Sequence, residues 1–450
     1  MGGKKLLRPK VAKGSAKPAP TVGPFALGPA LYIGLLAAAL AVALAFSHLA
    51  PGSSSASASS RRRAQTNGGS GRPSPQKTFQ CGSAELKHLR PDDYPARGYH
   101  VLTLDGATNL GGGKVEATVH VDGTAAHDTT VALASTGGSK ALRAMLEALA
   151  ASVAAVRPPA EARYTSQWSH AEPPANWGVF TPAGARIRSV EQIAKCGIAY
   201  VFEGGNFVWP GVAVGHKTEL SGIPGFGNIT LITHSLRPVV ITIEPLLSEA
   251  EADHVVALAK PEMAPSPVSH IDSDVGKPST EWRTSTQARL AASYDSTVDG
   301  IEDRVARIVN VPKTHGEPLQ VLRYTKGQHY HAHTDYFDPE LYKEQPGMLD
   351  TVEHGRKNRL ATLLWYMSDV AEGGETVFPR AHKAEAVGDF ASCDVSVQGI
   401  KVPPKKGKAV LFYSLLPDGS LDEYSLHGGC DPSSSETKWA VNKWVWSKAY

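Results

Sequence analysis

Cysteine is scarce in this chain, with four in 450 residues, which allows at most two disulfides. A strong charge of either sign is also missing. The formal net charge is +3, and the 46 Lys and Arg are spread out apart from an N-terminal cluster and Arg61-Arg62-Arg63. No concentrated basic stripe exists, so nucleic acid is excluded as a partner. Internal repeats are absent. Charge is missing altogether between Phe25 and Ala50, a run of mainly Ala, Leu, Val, Phe and Ile. Charged residues at 20% and hydrophobic ones at 42% are ordinary for a globular body with a sizeable core.

The uncharged run is long enough for a helix that crosses a bilayer, which takes about 20 apolar residues, and longer than the apolar core of a cleaved signal peptide. Lys4, Lys5, Arg8, Lys10, Lys13 and Lys17 precede it. The positive-inside bias then makes residues 1–24 a cytoplasmic tail and 25–50 a transmembrane helix. The bulk of the chain is expected in the lumen of the endoplasmic reticulum or Golgi, as a single-pass type II protein. Two features agree with a lumenal body. Cys81, Cys196, Cys393 and Cys430 permit three pairings, of which Cys81 with Cys196 and Cys393 with Cys430 keep each bridge within one part of the chain. Asn228-Ile229-Thr230 is a glycosylation sequon.

Residues 51–79 are rich in Ser, Ala, Gly, Arg and Pro and read as a flexible stem. Residues 80–235 look globular. Val115 to Val121 alternates as a strand does, and Lys140 to Val156 reads as a helix stopped before Pro158-Pro159. No chemical motif stands in this region, which is expected to be a spacer or a substrate-presenting unit. From 236 the texture changes. Val239 to Ile243 reads as a strand. Ser248 and Glu251 form a capping box ahead of Ala252, Val255, Val256 and Ala259 on one helical face. A second helix carries Ile301, Val305, Ile308 and Val309. Strands follow at Leu319–Tyr324, Leu360–Met367, Ala409–Tyr413 and Trp439–Trp446, separated by loops with Gly and Pro. Helices first and strands later predict an α+β domain over 236–450 with a β-sandwich or jelly-roll core.

The chemistry concentrates near His333-Thr334-Asp335. In a strand, residues two apart share a face, so His333 and Asp335 can hold one metal together. A distant histidine would complete a set of two imidazoles and one carboxylate, which leaves open positions and suits non-haem Fe(II). His-x-Asp alone is a weak signal among 17 histidines, since His329 and His331 also crowd the segment and a His-rich surface loop reads the same way.

Five blocks in order resemble the prolyl 4-hydroxylase family: Gly327 to Phe337, Arg359 to Pro379 with Gly373-Gly374-Glu375-Thr376, Pro404 to Tyr413, Ser425 to Cys430, and Lys438 to Trp446. The resemblance covers roughly 236–450. It implies a double-stranded β-helix, or jelly-roll, with flanking helices. It implies Fe(II) and the co-substrate 2-oxoglutarate, with ascorbate as reductant, and hydroxylation of peptidyl proline at C4 with release of succinate and CO2. It makes His427 the third iron ligand. Lys438 is implied as the cation for the distal co-substrate carboxylate. Strand parity supports this, because Lys438, Ala440, Asn442, Trp444 and Trp446 share one face, and a lysine turned inward needs a counter-charge. Lys443 falls on the opposite face and reads as solvent-facing. Tyr324, Thr376 and Asn442 match co-substrate positions; Arg359, Tyr330 and Trp444 match positions near a Pro-rich peptide substrate, whose polyproline II form suits an aromatic groove. The spacing from His427 to Lys438 exceeds the family's by one residue, which is expected to loop out before the strand.

Three other readings fit parts of the pattern. One is a 2-oxoglutarate dioxygenase acting on lysine or a small molecule. Another is a non-catalytic jelly-roll that only binds Pro-rich peptides, which has no reason to keep His333, Asp335, His427 and Lys438 together. A zinc hydrolase can also use two histidines and an aspartate, but leaves Lys438 unexplained. The sequence leaves the protein substrate, the oligomeric state and the role of residues 80–235 open.

Overall fold

The computed structural model describes residues 79–81, 88–126, 128–157, 175–383 and 399–450. The predicted cytoplasmic tail and transmembrane helix, and the stem except for Phe79, lie outside the described residues. Among the described residues, no helix is long and apolar enough to cross a membrane.

The N-terminal part builds a five-stranded antiparallel sheet in the order β3-β2-β1-β5-β4. Its strands are β1 (Tyr99–Gly111), β2 (Lys114–His120), β3 (Asp128–Ala134), β4 (Gly178–Phe180) and β5 (Ile198–Phe202). Helices α1 (Gly138–Val156) and α2 (Val190–Cys196) cover one face. Leu142, Met145, Leu146, Leu149 and Val153 line the buried stripe of α1, at the spacing that puts one side of a helix against a sheet. The expected bridge Cys81–Cys196 is present and ties the start of this region to the end of α2. Cys430 is also disulfide-bonded; Cys393 lies outside the described residues.

The C-terminal part holds a nine-stranded antiparallel sheet in the order β6-β7-β8-β16-β13-β18-β11-β10-β9. Its members are β6 (Lys217–Ile223), β7 (Gly227–Leu236), β8 (Val239–Glu244), β9 (Ala264–Pro265), β10 (Thr286–Leu290), β11 (Leu319–Tyr324), β13 (Arg359–Tyr366), β16 (Ala409–Tyr413) and β18 (Lys438–Trp446). A four-stranded sheet, β12-β17-β14-β15, lies against it, formed by β12 (Tyr330–His333), β14 (Thr376–Phe378), β15 (Ile400–Val402) and β17 (His427–Gly429). Two facing antiparallel sheets are the arrangement expected of a jelly-roll core. Helices α3 (Glu249–Ala259) and α4 (Ser296–Val309) and the short α5 (Pro346–Thr351) complete it. The capping box of Ser248 and Glu251 forms as expected at the start of α3.

Strand periodicity sorts the large sheet into two faces. Leu364, Tyr366, Val410, Phe412 and Ala440 pack toward Phe378 and Val402 of the small sheet. Leu363, Trp365, Leu411, Val441 and Val445 point the other way, into a core shared with α3 and α4. That second core also contains Tyr99, Val101, Phe180, Tyr200 and Phe202 from the N-terminal sheet. The two parts therefore share one continuous apolar core. The expected boundary at 235/236 needs correction for the same reason. It cuts the β7–β8 hairpin, where Leu236 pairs with Val239, and β6 and β7 belong to the large sheet. Sequence texture missed this because β6 is largely exposed, at the sheet's edge, and reads as polar.

A second correction concerns Lys443. Parity places it opposite Lys438, but α4 covers that face. Lys443 is 2% exposed and its ammonium donates to the Glu302 carboxylate on α4 and to the Glu317 carbonyl. Removing one member of a buried pair strands the other charge, at about 3–5 kcal/mol. Glu302→Ala should therefore lower the stability measured by denaturant unfolding by that amount. The double change Glu302→Leu with Lys443→Met should recover most of the loss, and equal losses for both variants would refute the pairing argument.

Candidate metal and co-substrate site

Pairing of β12 with β17 sets His333 directly opposite His427, with ring centroids 4.4 Å apart. His333 Nδ1–H donates to the His331 carbonyl and His427 Nδ1–H to the Ser425 carbonyl, each at 2.9 Å. These bonds fix both rings and leave both Nε2 atoms free to ligate. Asp335 follows two residues after His333 and brings its carboxylate within 3.8 Å of His333 Nε2 and 3.5 Å of His427 Nε2. One ligand atom from each of the three lies within 4.8 Å of the others. Thr362 on β13 donates a 2.5 Å hydrogen bond to Asp335 Oδ2.

Charge at the site follows from burial and neighbours. Burial pushes the His333 imidazole down to about 3, with the His427 ring adding to the effect, so it is neutral at ordinary pH. Burial works upward on Asp335. The His427 and His333 rings, Arg359 and the Thr362 hydroxyl nonetheless hold it down at about 2. Two imidazole nitrogens and one ionised carboxylate thus face one another within a buried space. A divalent cation satisfies all three, and the donor set suits Fe(II). Gly428 has a further reason to be small. A Cβ there would lie 3.1 Å from the Tyr330 carbonyl, so the glycine lets β12 and β17 close up.

Lys438 begins β18, opposite Tyr324 of β11, and is 2% exposed. Its ammonium lies 5.1 Å from the Tyr324 ring and 5.7 Å from the Tyr366 ring. Among the described residues no carboxylate pairs with it. Burial lowers it to about 7 instead of 10.5, against an opposing pull from Glu375. Thr376 is buried nearby, and Tyr366 OH donates to its hydroxyl at 2.7 Å, leaving the Thr376 proton free for an anion. The lengthened segment before Lys438 folds onto the Gly373-Gly374 loop, where Gly374 N–H donates to the Asp431 carbonyl and Ser433 N–H to that of Glu372. Gly373 has φ +76°, and a Cβ there would strike the Asp431 oxygen at 2.3 Å. Lys438 keeps the predicted face.

Above the metal ligands lies a cleft of about 600 Å³, lined in part by Trp282, Arg283, Tyr330, Phe337, Tyr342 and Trp444. Tyr330 stacks on His333 with centroids 3.7 Å apart, and Arg283 caps the other ring contact at 4.4 Å. Arg359 spans the floor. Its guanidinium lies 3.7 Å from the Trp444 ring centroid, donates to Glu317 at 2.7 Å and to the Asp335 carbonyl at 3.3 Å. Trp444 Nε1–H is buried without a partner among the described residues. Asn442 is 8% exposed on the same inner face, and its amide donates to Gln320 Oε1 at 3.1 Å.

All ten expected residues therefore gather on one inner surface. His333, Asp335 and His427 form the candidate ligand set, Lys438, Tyr324 and Thr376 stand at one end, Arg359, Tyr330 and Trp444 line the cleft, and Asn442 lies on β18 between Lys438 and Trp444. Sequence reasoning missed Thr362, Tyr366, Gln320 and Arg283. Parity along β13 and β11 points Thr362, Tyr366 and Gln320 inward and could have found them. Arg283 lies in a loop with no periodicity to read. A second cluster, His100 with Asp122 and Glu203, has metal-like spacing. There the Arg157 guanidinium fills the space, 2.6 Å from Asp122 and 2.7 Å from Glu203, and serves as the cation.

A profile of the 2OG-Fe(II) oxygenase superfamily matches residues 319–446, which contain all three ligands and Lys438. Fold and site define an oxygenase that depends on Fe(II) and 2-oxoglutarate. More narrowly, the chain belongs to the prolyl 4-hydroxylase family. It is 41% identical over 217 residues to the probable prolyl 4-hydroxylase 4 of Arabidopsis thaliana, covering 47% of this chain and 68% of that protein. It is 39% identical over 218 residues to prolyl 4-hydroxylase 2 of the same plant, covering 47% and 68%. A solved structure of a viral collagen prolyl hydroxylase from Paramecium Bursaria Chlorella virus-1, in complex with 2OG, aligns with 46% of this chain and 95% of that one, at 25% identity and a TM-score of 0.32.

Groups that orient a metal ligand typically contribute 10- to 100-fold in metal affinity, as order of magnitude. Thr362→Val should weaken Mn(II) binding by roughly that factor in calorimetric titration, and Thr362→Ser should remain near native. An unchanged affinity in Thr362→Val would show that Asp335 needs no such support.

Proposed function

We propose that the chain hydroxylates peptidyl proline at C4 within Pro-rich peptides, consuming O2 and 2-oxoglutarate and releasing succinate and CO2. The observation that carries this reading is the joint placement of His333, Asp335 and His427 beneath an aromatic cleft, with the unpaired cation Lys438 buried on the same sheet face. The relatives named above as prolyl 4-hydroxylases support the choice of proline.

His333, Asp335 and His427 would hold Fe(II), which when bound supplies the oxidation of an unactivated C–H bond. Every other task falls to the chain. Lys438 and Thr376 bind the distal carboxylate of 2-oxoglutarate, where burial strengthens the ion pair. Thr362 and the backbone carbonyls of His331 and Ser425 orient the ligands. Tyr330, Arg359 and Trp444 form the bed of the peptide. A polyproline II chain leaves its backbone carbonyls free, and Trp444 Nε1–H is an unmet donor for one of them. Burial pushes the Tyr330 phenol up to about 12, so it stays protonated and acts as a packing and hydrogen-bonding surface. Ascorbate is the reductant typical of the family.

The same proposal places the catalytic body in the lumen of the endoplasmic reticulum or Golgi, anchored as a type II protein by residues 25–50. The uncharged run of those residues, the Cys81–Cys196 bridge and the exposed Asn228 of the sequon support it.

Lys438 gives the site a pH signature. Its pKa of about 7 in the free protein rises when a carboxylate pairs with it. Binding of 2-oxoglutarate at about pH 9 should therefore take up close to one proton, and affinity should fall as pH rises above about 7. Calorimetry in buffers of different ionisation enthalpy measures the uptake; none at that pH would refute Lys438 as the anchor.

The reaction itself is read by incubating the protein with Fe(II), ascorbate, 2-oxoglutarate and a poly-proline peptide. Succinate and a mass gain of one oxygen on proline are expected, and His333→Ala should abolish both. Succinate with an unmodified peptide would point to another substrate, and no Fe(II)-dependent succinate with any peptide would leave only a binding role.

A further inference from the structure

Asn442 stands diagonally across from Thr362, the residue that holds Asp335: Leu364 pairs with Asn442 and Thr362 with Trp444. Diagonal neighbours on one sheet face lie within side-chain reach. Asn442 is more than nine-tenths buried, and only half of its amide is satisfied. Its Nδ2 donates to Gln320 Oε1, while its Oδ1 is buried with no partner among the described residues. Gln320, directly opposite on β11 and 2% exposed, passes the pattern on, because its Nε2 donates to Gln287 Oε1 on β10. Asn442 and Gln320 thus both donate in one direction, from β18 through β11 to β10, away from β13 and the Thr362 that holds Asp335. The end of this amide run nearest Thr362 is an acceptor.

A buried carbonyl oxygen without a partner is costly, so the fold keeps it there at a loss unless a donor arrives. A carboxylate carries no proton and cannot be that donor. Resting on the reading of the site as an Fe(II) and 2-oxoglutarate centre, we propose that Gln320, backed by Gln287, is a positioning residue that turns Asn442 Oδ1 inward to accept a hydrogen bond from a water in the metal site. Asn442 is then a water-binding residue, and the co-substrate carboxylates are left to Lys438 and Thr376. Gln320 and Trp444 line the peptide cleft but Asn442 does not, which favours a small donor such as water over a peptide N–H.

The test uses the full chain loaded with Co(II), whose visible spectrum reports the number of ligands on the ion, water included. It compares the native protein with Asn442→Leu, Gln320→Met, Gln287→Met and Gln320→Glu, first without peptide and then with a poly-proline peptide. Native protein that fails to bind Co(II) and 2-oxoglutarate would overturn the reading of the site itself, a result distinct from those that follow. Asn442→Leu and Gln320→Met are expected to lose the six-ligand spectrum in the presence of 2-oxoglutarate, with Gln287→Met shifted in the same direction. Gln320→Glu is expected to match the native protein, because a carboxyl in either protonation state still accepts from Asn442 Nδ2. The 2-oxoglutarate Kd should stay within about two-fold in all four, below the ~2- to 10-fold that a lost hydrogen bond costs. A raised Kd in Asn442→Leu and Gln320→Met with an unchanged spectrum would show that the amide donates to the co-substrate, and would overturn the proposal. So would an unchanged spectrum in both variants, a change that appears only when peptide is added, or a Gln320→Glu protein that behaves like Gln320→Met. Thermal unfolding of each variant separates these outcomes from a failure to fold.

Discussion

Three electron-rich groups held face to face in a buried space are the constraint on which the rest of the site depends. His333, Asp335 and His427 repel or ignore one another unless a cation joins them, and nothing in their own chemistry keeps them together. The backbone does so. The hydrogen-bonded pairing of β12 and β17 sets the two histidines opposite each other, and the carbonyls of His331 and Ser425 fix the rings. Thr362 reaches over from the large sheet to hold the carboxylate. The small sheet supplies two ligands from its strands, and the large sheet steadies the third, so the site exists only where the two sheets meet.

The large sheet carries two buried lysines on opposite faces of one strand, and their partners assign them different work. Lys443 meets Glu302 of α4 and closes an ion pair inside the protein. Lys438 meets two tyrosine rings and, among the described residues, no carboxylate. Burial makes an uncompensated ammonium costly, which shows in its lowered pKa. One lysine is a structural clasp and the other is an unpaired ammonium that the proposed co-substrate carboxylate would satisfy, and only the covering element distinguishes them.

The N-terminal sheet supplies no residue of the cleft lining yet shares the C-terminal part's apolar core through Tyr99, Phe180, Tyr200 and Phe202. It covers the rear face of the large sheet along with α3 and α4.

Much of this was legible before any coordinates. The period of two along Lys438 to Trp446 aimed Lys438 inward, the capping box marked the start of α3, and five ordered blocks marked the family and the three residues that the fold brings within reach of one metal ion. These features are local, set by strand alternation, by capping chemistry, or by short runs in which neighbours in the chain are neighbours in space. Other features were not local. The boundary near 236 was misplaced because β6 and β7 bury themselves only by pairing with β8. Lys443 was misread because solvent exposure depends on α4, which lies more than a hundred residues away in the chain. Arg283 over Tyr330, Thr362 on Asp335 and the amide run from Asn442 to Gln287 are contacts between distant segments. The sequence by itself determined which residues are candidates for the chemistry and which of them share a strand face. Tertiary structure alone decided what each of those side chains meets, because burial, pairing and the direction of a hydrogen bond belong to the packed assembly of strands and to no single one of them.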